Sequence, residues 1–112
     1  MTRIFVYGTL KRGGENHEWL AGQRFIAPAR TRPRYRMFDL GGYPGMVRDD
    51  EGVAVEGEIW EVDAAGLTRL DVLEDVGGGE YERVKIDLND DDAEGYIYLH
   101  SIEDRPDVGT CW

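Results

Sequence analysis

The stretch 53-VAVEGEIWEVDAAGLTRLDVLE-74 changes its period halfway along, and that change decides the fold class. From Val53 to Val62 the residues alternate, with Val53, Val55, Gly57 and Ile59 on one face and Ala54, Glu56, Glu58 and Trp60 on the other. That is the period of a strand. Beyond Val62 the spacing of Leu67, Leu70 and Leu73 is helical, with Asp63 placed as an N-cap and Glu74 near the end.

Working outward from this stretch, strands lie on both sides of the helix. Gly77–Glu80, "GGGE", stops it, and Tyr81–Leu88 and Gly95–Ser101 alternate again around a turn, "NDDDAEG", at 89–95. Upstream, Arg3–Tyr7 reads as a buried first strand, and Asn16 as the N-cap of a short helix carrying Trp19 and Leu20. Phe25–Leu40 is extended but broken by Pro28 and Pro33, which points to edge strands or bulges. "GGYPG", Gly41–Gly45, is a tight turn, and the tail from Ile102 to Trp112 has no clear period. Strands, one amphipathic helix, then strands predict an α+β fold with a curved or closed, mostly antiparallel sheet. The expected organisation is a single domain over 1–112, a length sufficient for one core.

Composition narrows the function. The net charge of −10 disfavours nucleic-acid binding. It is also uneven: residues 1–48 carry +6 and residues 49–112 carry −16. Arg30, Arg32, Arg34 and Arg36 alternate and are expected to face water or the acidic second half. No apolar run approaches the roughly 20 residues of a membrane span, and the start of the chain does not read as a signal peptide. With Cys111 as the lone cysteine there is no intramolecular disulfide framework, and a soluble cytoplasmic protein is the expectation.

Several chemistries fail on their residues. Gly8 and Gly13 have the glycine spacing of a P-loop, but Gly14 and Glu15 stand where it needs lysine and a hydroxyl. His17, His100 and Cys111 show no metal-ligand spacing, and "NDDDAEG" lacks a calcium loop's pattern, so neither metal nor cofactor is expected. No Gly-x-Ser-x-Gly is present to support a nucleophile.

One residue breaks its own pattern. On a wheel of about 100° per residue, Glu74 falls inside the apolar arc, between Leu70 and Leu67, while Asp71 sits at its rim. A carboxylate on a buried face costs free energy unless it is paired or neutralised. Two readings are open: a structural acid bonded to Arg83 or a tyrosine, or a group with a raised pKa working as a general acid/base in a pocket. On the following strands Tyr81 and Arg83 share one face, as do Tyr96, Tyr98 and His100. Either they line a cavity while the aliphatic residues pack against the helices, or the reverse holds.

With Tyr7-Gly8-Thr9-Leu10 after the first strand and "LDVLE" after "EGEIWEV", the chain resembles the γ-glutamylcyclotransferase-like superfamily. It is most similar to the AIG2-like, γ-glutamylamine cyclotransferase branch. "VYGTLKRG", "NH", "GGYPGMV", "YERV" and the closing Trp112 extend the likeness over nearly the whole chain. The resemblance implies a small, mixed β-barrel with a few flanking helices. It also implies a pocket between the Tyr7–Leu10 loop and Glu74, with Glu74 as the general acid/base. In that pocket the α-amine of a γ-glutamyl amine or peptide attacks its own γ-carbonyl, giving 5-oxoproline and a free amine. Tyr7, Gly8, Thr9, Leu10, Tyr43, Tyr81 and Arg83 are the expected substrate-binding residues. The alternative is a non-catalytic domain that retains the pocket to bind a small ligand or a partner protein; the oligomeric state is left open.

Overall fold

The computed structural model, which describes residues 1–89 and 91–112, contains seven strands, one α-helix and a 3₁₀ turn; the strand at Pro44–Arg48 was not read from the sequence and takes in Pro44 and Gly45 of the expected turn. The strands are β1 (Thr2–Val6), β2 (Arg24–Arg30), β3 (Tyr35–Asp39), β4 (Pro44–Arg48), β5 (Glu56–Val62), β6 (Tyr81–Ile86) and β7 (Ala93–Tyr98). The helix α1 spans Ala64–Leu73 and the 3₁₀ turn His17–Leu20. The predicted turn at 89–95 includes position 90, which lies outside the described residues.

Five strands form one sheet in the order β2-β5-β1-β7-β6, and β3 and β4 form a separate two-stranded hairpin. The pairings are antiparallel except for β1 with β7, so the sheet is mixed. The barrel implied by the resemblance is not formed as a continuous ladder among the described residues. Instead the outer edges of β2 and β6 meet beyond their ends in one bridge, Thr31 to Leu88. Pro33 ends the extended run before β3, and β3 pairs with β4 across a connection at 40–43, Pro44 and Gly45 of "GGYPG" already belonging to β4. Pro28 lies on β2, an edge strand with a bulge between Phe25 and Ala27, where a missing N–H is tolerated. The strand read from Val53 begins only at Glu56; Val53 makes a lone bridge to Tyr35, and the Thr31 hydroxyl takes the Val55 amide at 2.9 Å.

Both faces of the sheet are covered. Phe5, Ile59, Ile86 and Ile97 pack with Met37 and Met46 of the hairpin, while Ile4, Val6, Trp60, Tyr81 and Tyr96 pack with Leu20 and Leu70. Thus the tyrosines, not the aliphatic residues, lie on the helix side of β6 and β7. Asp63 caps α1 by accepting the Gly66 amide at 2.7 Å. Leu70, fully buried, is the helix's anchor. Leu70→Ala should cost about 2–5 kcal/mol, the range for emptying such a site, read by chemical denaturation.

The four alternating arginines each find acids of the second half. Arg30 pairs with Glu56, Arg32 and Arg34 with Asp87, and Arg36 with Asp49 and Asp107. The tail, which lacked a period, runs beside the hairpin: the Asp39 amide donates to the Pro106 carbonyl and the Val108 amide to that of Met37. Among the described residues no helix is long and apolar enough to cross a membrane.

Candidate active site

The chain leaves the sheet at Tyr7 and turns sharply. The Lys11 amide closes onto the Gly8 carbonyl at 3.1 Å, and the Asn16 amide onto the Thr9 carbonyl at 2.9 Å. Asn16 does not cap the 3₁₀ turn with its side chain; its Nδ2 donates to Thr9 Oγ1 at 3.0 Å, stapling the loop. His17 Nδ1 sits 3.0 Å from the Leu10 carbonyl. With these bonds made, the amides of Gly8, Thr9 and Leu10 donate to no protein acceptor among the described residues. Consecutive uncommitted N–H groups of this kind form an anion-binding concavity. Gly8 is required here for space: a Cβ would lie 2.5 Å from Pro44 Cγ, so only glycine lets this loop meet the "GGYPG" turn.

These residues form one wall of a cavity of about 500 Å³. Leu73 and Glu74 close it from the end of α1, Glu15 and Asn16 from the first loop, Gly41–Pro44 from the hairpin, Glu80 from the loop between α1 and β6, and Tyr81 and Tyr96 from the sheet. Glu74 is the C-cap residue of α1. Its carboxylate makes no hydrogen bond and no ion pair among the described residues, so the structural pairing with Arg83 or a tyrosine does not occur. Burial, and then the nearby Glu80 carboxylate, push its pKa up to about 7.

The tyrosines hold the walls in place. The Tyr7 hydroxyl donates to the Tyr96 carbonyl at 2.8 Å and accepts the Met46 amide at 3.2 Å, tying hairpin to sheet. Tyr81 donates to the Pro44 carbonyl at 2.9 Å, and Tyr96 to Asp71 at 2.8 Å. Burial keeps all three phenols well above their ordinary pKa, hence neutral. Tyr7 and Tyr81 therefore line the cavity with rings whose hydroxyls are committed elsewhere. Tyr43 stands at the rim, its hydroxyl 3.4 Å from Glu80.

Arg83 departs from expectation. It does not line the cavity but forks onto Asp71, at 3.0 and 3.3 Å, and reaches Glu94 at 2.9 Å. Two opposite charges from α1 and β7 flank it, so its reach is spent on clamping the helix to the sheet. Asp71, read as an ordinary rim acid, is the centre of that clamp. Tyr96, on the face read as a possible cavity wall, does line the cavity, whereas Glu80 and Glu15 were not read as cavity residues; an acid directly after a glycine run looks like turn chemistry until the fold brings it near Glu74. Among the described residues no group of three or more His, Cys, Asp or Glu is arranged to hold a metal.

Comparison with known proteins gives the family and the fold. The family model described as "Gamma-glutamyl cyclotransferase, AIG2-like" matches residues 4–111. A Vibrio cholerae protein that bears γ-glutamylcyclotransferase as a provisional name is 41% identical over 109 residues, covering 93% of this chain and 92% of its own. The crystal structure of an AIG2-like protein from Mus musculus superposes with a TM-score of 0.76 at 30% identity, covering 90% of this chain and 78% of that one. That of c4763, described as specific to uropathogenic E. coli, gives a TM-score of 0.87 at 29% identity, covering 99% and 91%. With the family model spanning residues 4–111 and a relative 41% identical over 93% of its length, the chain belongs to the AIG2-like γ-glutamyl cyclotransferase family.

Proposed function

We propose that this protein is a γ-glutamylcyclotransferase that converts a small γ-glutamyl amine or peptide to 5-oxoproline and a free amine, with Glu74 as the general acid/base. The observation that carries the reading is that the unpaired Glu74 carboxylate, raised to about 7, and the Gly8–Leu10 loop, whose amides are uncommitted, line one cavity. A base with a pKa near neutrality can accept a proton from an α-ammonium group and return it. Glu74 takes that proton, and the freed amine attacks the γ-carbonyl of the same molecule. The amides bind the resulting oxyanion. The intermediate then collapses: the C–N bond to the leaving amine breaks as Glu74 returns its proton to that nitrogen, and Glu74 next takes the second proton from the attacking nitrogen, which becomes the neutral lactam N–H, and passes it to the released amine, which departs as an ammonium. No water is consumed. Because nucleophile and electrophile belong to one molecule, a cavity that folds the substrate supplies much of the acceleration as proximity.

The working form of Glu74 is the carboxylate, which dominates above its pKa. kcat/KM for 5-oxoproline release should therefore rise about tenfold per pH unit below about pH 7 and level off above it. A profile flat from pH 5 to 8 on every γ-glutamyl amine tried would remove Glu74 from the mechanism.

The alternative is a non-catalytic domain that keeps the pocket, and a Glu74 carboxylate buried against Arg83 with no cavity beside it would have favoured it. Arg83 is instead engaged by Asp71 and Glu94, and the cavity is open next to Glu74.

A further inference from the structure

Resting on the proposed reaction, a charge inventory of the cavity says something about the leaving group. Three carboxylates line it, Glu15, Glu74 and Glu80, and no lysine, arginine or histidine does. Outside the cavity, Glu56, Glu58, Asp49, Asp71, Asp87, Asp91, Asp92, Glu94 and Asp107 each meet a Lys or Arg within 3.2 Å, while others such as Glu18, Asp50, Glu61 and Glu103 are in no ion pair among the described residues. None of the ion pairs among the described residues includes a cavity carboxylate. The polar contact made by the Glu80 side chain is the long one from the Tyr43 hydroxyl, 3.4 Å.

The γ-glutamyl part of a substrate brings one negative and one positive charge. Its α-carboxylate or developing oxyanion has the Gly8–Leu10 amides, and its α-ammonium has Glu74, to which it gives its proton. That leaves Glu80, with Glu15 at the mouth, uncompensated. A leaving group with a carboxylate would add a fourth negative charge to a cavity with no cationic side chain. One with a second ammonium would supply the missing counter-charge.

We propose that the leaving amine carries a second positive charge and no carboxylate, as a diamine or polyamine does, and that Glu80 is the residue that recognises it. Glu80 then acts on specificity: its carboxylate accepts a hydrogen bond from the distal ammonium while Glu74 handles the proximal nitrogen. A charge-assisted hydrogen bond of this kind is worth roughly 10–100-fold in a binding or rate constant. Because the cavity is open to solvent, added salt weakens the preference.

The test uses three γ-glutamyl substrates of matched length, with leaving groups that end in an ammonium, a methyl or a carboxylate. The measured quantity is the ratio of kcat/KM values, which cancels any common effect on folding or on Glu74. The ammonium substrate should exceed the methyl one by at least tenfold and the carboxylate one by more. Glu80→Gln should bring the ammonium-to-methyl ratio close to one, with Glu80→Asp retaining part of it. Calorimetry with free 1,4-diaminobutane against butylamine gives a second readout that needs no turnover, and the diamine's advantage should vanish in Glu80→Gln. Equal rates for ammonium and methyl substrates, or a ratio unmoved by Glu80→Gln, would overturn the assignment while leaving cyclisation standing. A diamine advantage in binding that depends on Glu80, without 5-oxoproline from any substrate, would instead uphold the recognition and remove the reaction.

Discussion

Glu74→Gln is expected to lose 10²–10⁴-fold in kcat/KM and yet be more stable than the parent protein at pH 8. The first effect is the usual contribution of a general acid/base. The second follows from linkage. Folding raises the pKa of Glu74 from 4.5 to about 7, so the folded state binds this proton more tightly than the unfolded chain does. The group's favourable contribution is fully present below about pH 4.5 and is lost as pH rises through about 7. Above that, the carboxylate stays ionised beside Glu80 and partly buried, which opposes folding. A neutral amide removes this opposition. Each pKa unit corresponds to about 1.4 kcal/mol, and part-solvation of the cavity reduces the total, so a gain of about 1–3 kcal/mol at pH 8 is expected. Little change is expected at pH 5. Urea unfolding at the two pH values checks it: a loss of stability at pH 8 would mean that Glu74 holds the structure together.

Gly8→Ala is expected to lose activity by about 10²-fold or more and to destabilise the fold. The added methyl would lie 2.5 Å from Pro44 Cγ and 2.8 Å from Cδ. Neither partner yields easily. Pro44 is a ring held in the β3–β4 ladder opposite Asp39, and its carbonyl accepts the buried Tyr81 hydroxyl. The loop must therefore move, taking the Gly8–Leu10 amides away from the place where an oxyanion forms. Loss of one such donor typically costs 10²–10³-fold in kcat. Steady-state kinetics on a purified variant, with its melting temperature alongside, measures both effects. Parental kinetics in Gly8→Ala would mean that the loop and the hairpin do not depend on this close approach.

How much of this was legible in the sequence depends on the range of the interaction that decides it. The helix was readable because Leu67, Leu70 and Leu73 repeat within one element, and Asp63 caps it three residues from its partner Gly66. Glu74 was readable for the same reason: its anomaly is measured against neighbours on its own helix. The partner of Arg83 was not. Whether it meets Glu74, Tyr81 or Asp71 depends on how α1 is rotated over the sheet, and that rotation is set by Leu70 packing among Trp60, Tyr81 and Tyr96. Periodicity fixes that two faces exist on β6 and β7 but not which one the helix covers. The open sheet and separate hairpin likewise depend on strand pairing across tens of residues, such as Ile4 with Glu94. The roles of Tyr7 and Tyr81 stayed hidden because a phenol's ring and hydroxyl can serve different neighbours, and only the fold shows both.

The central claim is that Glu74 and the Gly8–Leu10 amides make a γ-glutamyl substrate cyclise on itself. It is tested most directly by running the reaction in ¹⁸O-labelled water on a panel of γ-glutamyl amines and weighing the acidic product. Cyclisation predicts 5-oxoproline free of label, released in step with the amine and absent with Glu74→Gln. Glutamate carrying one labelled oxygen would show instead that water, not the substrate's own amine, attacks the carbonyl, and would contradict the proposed function.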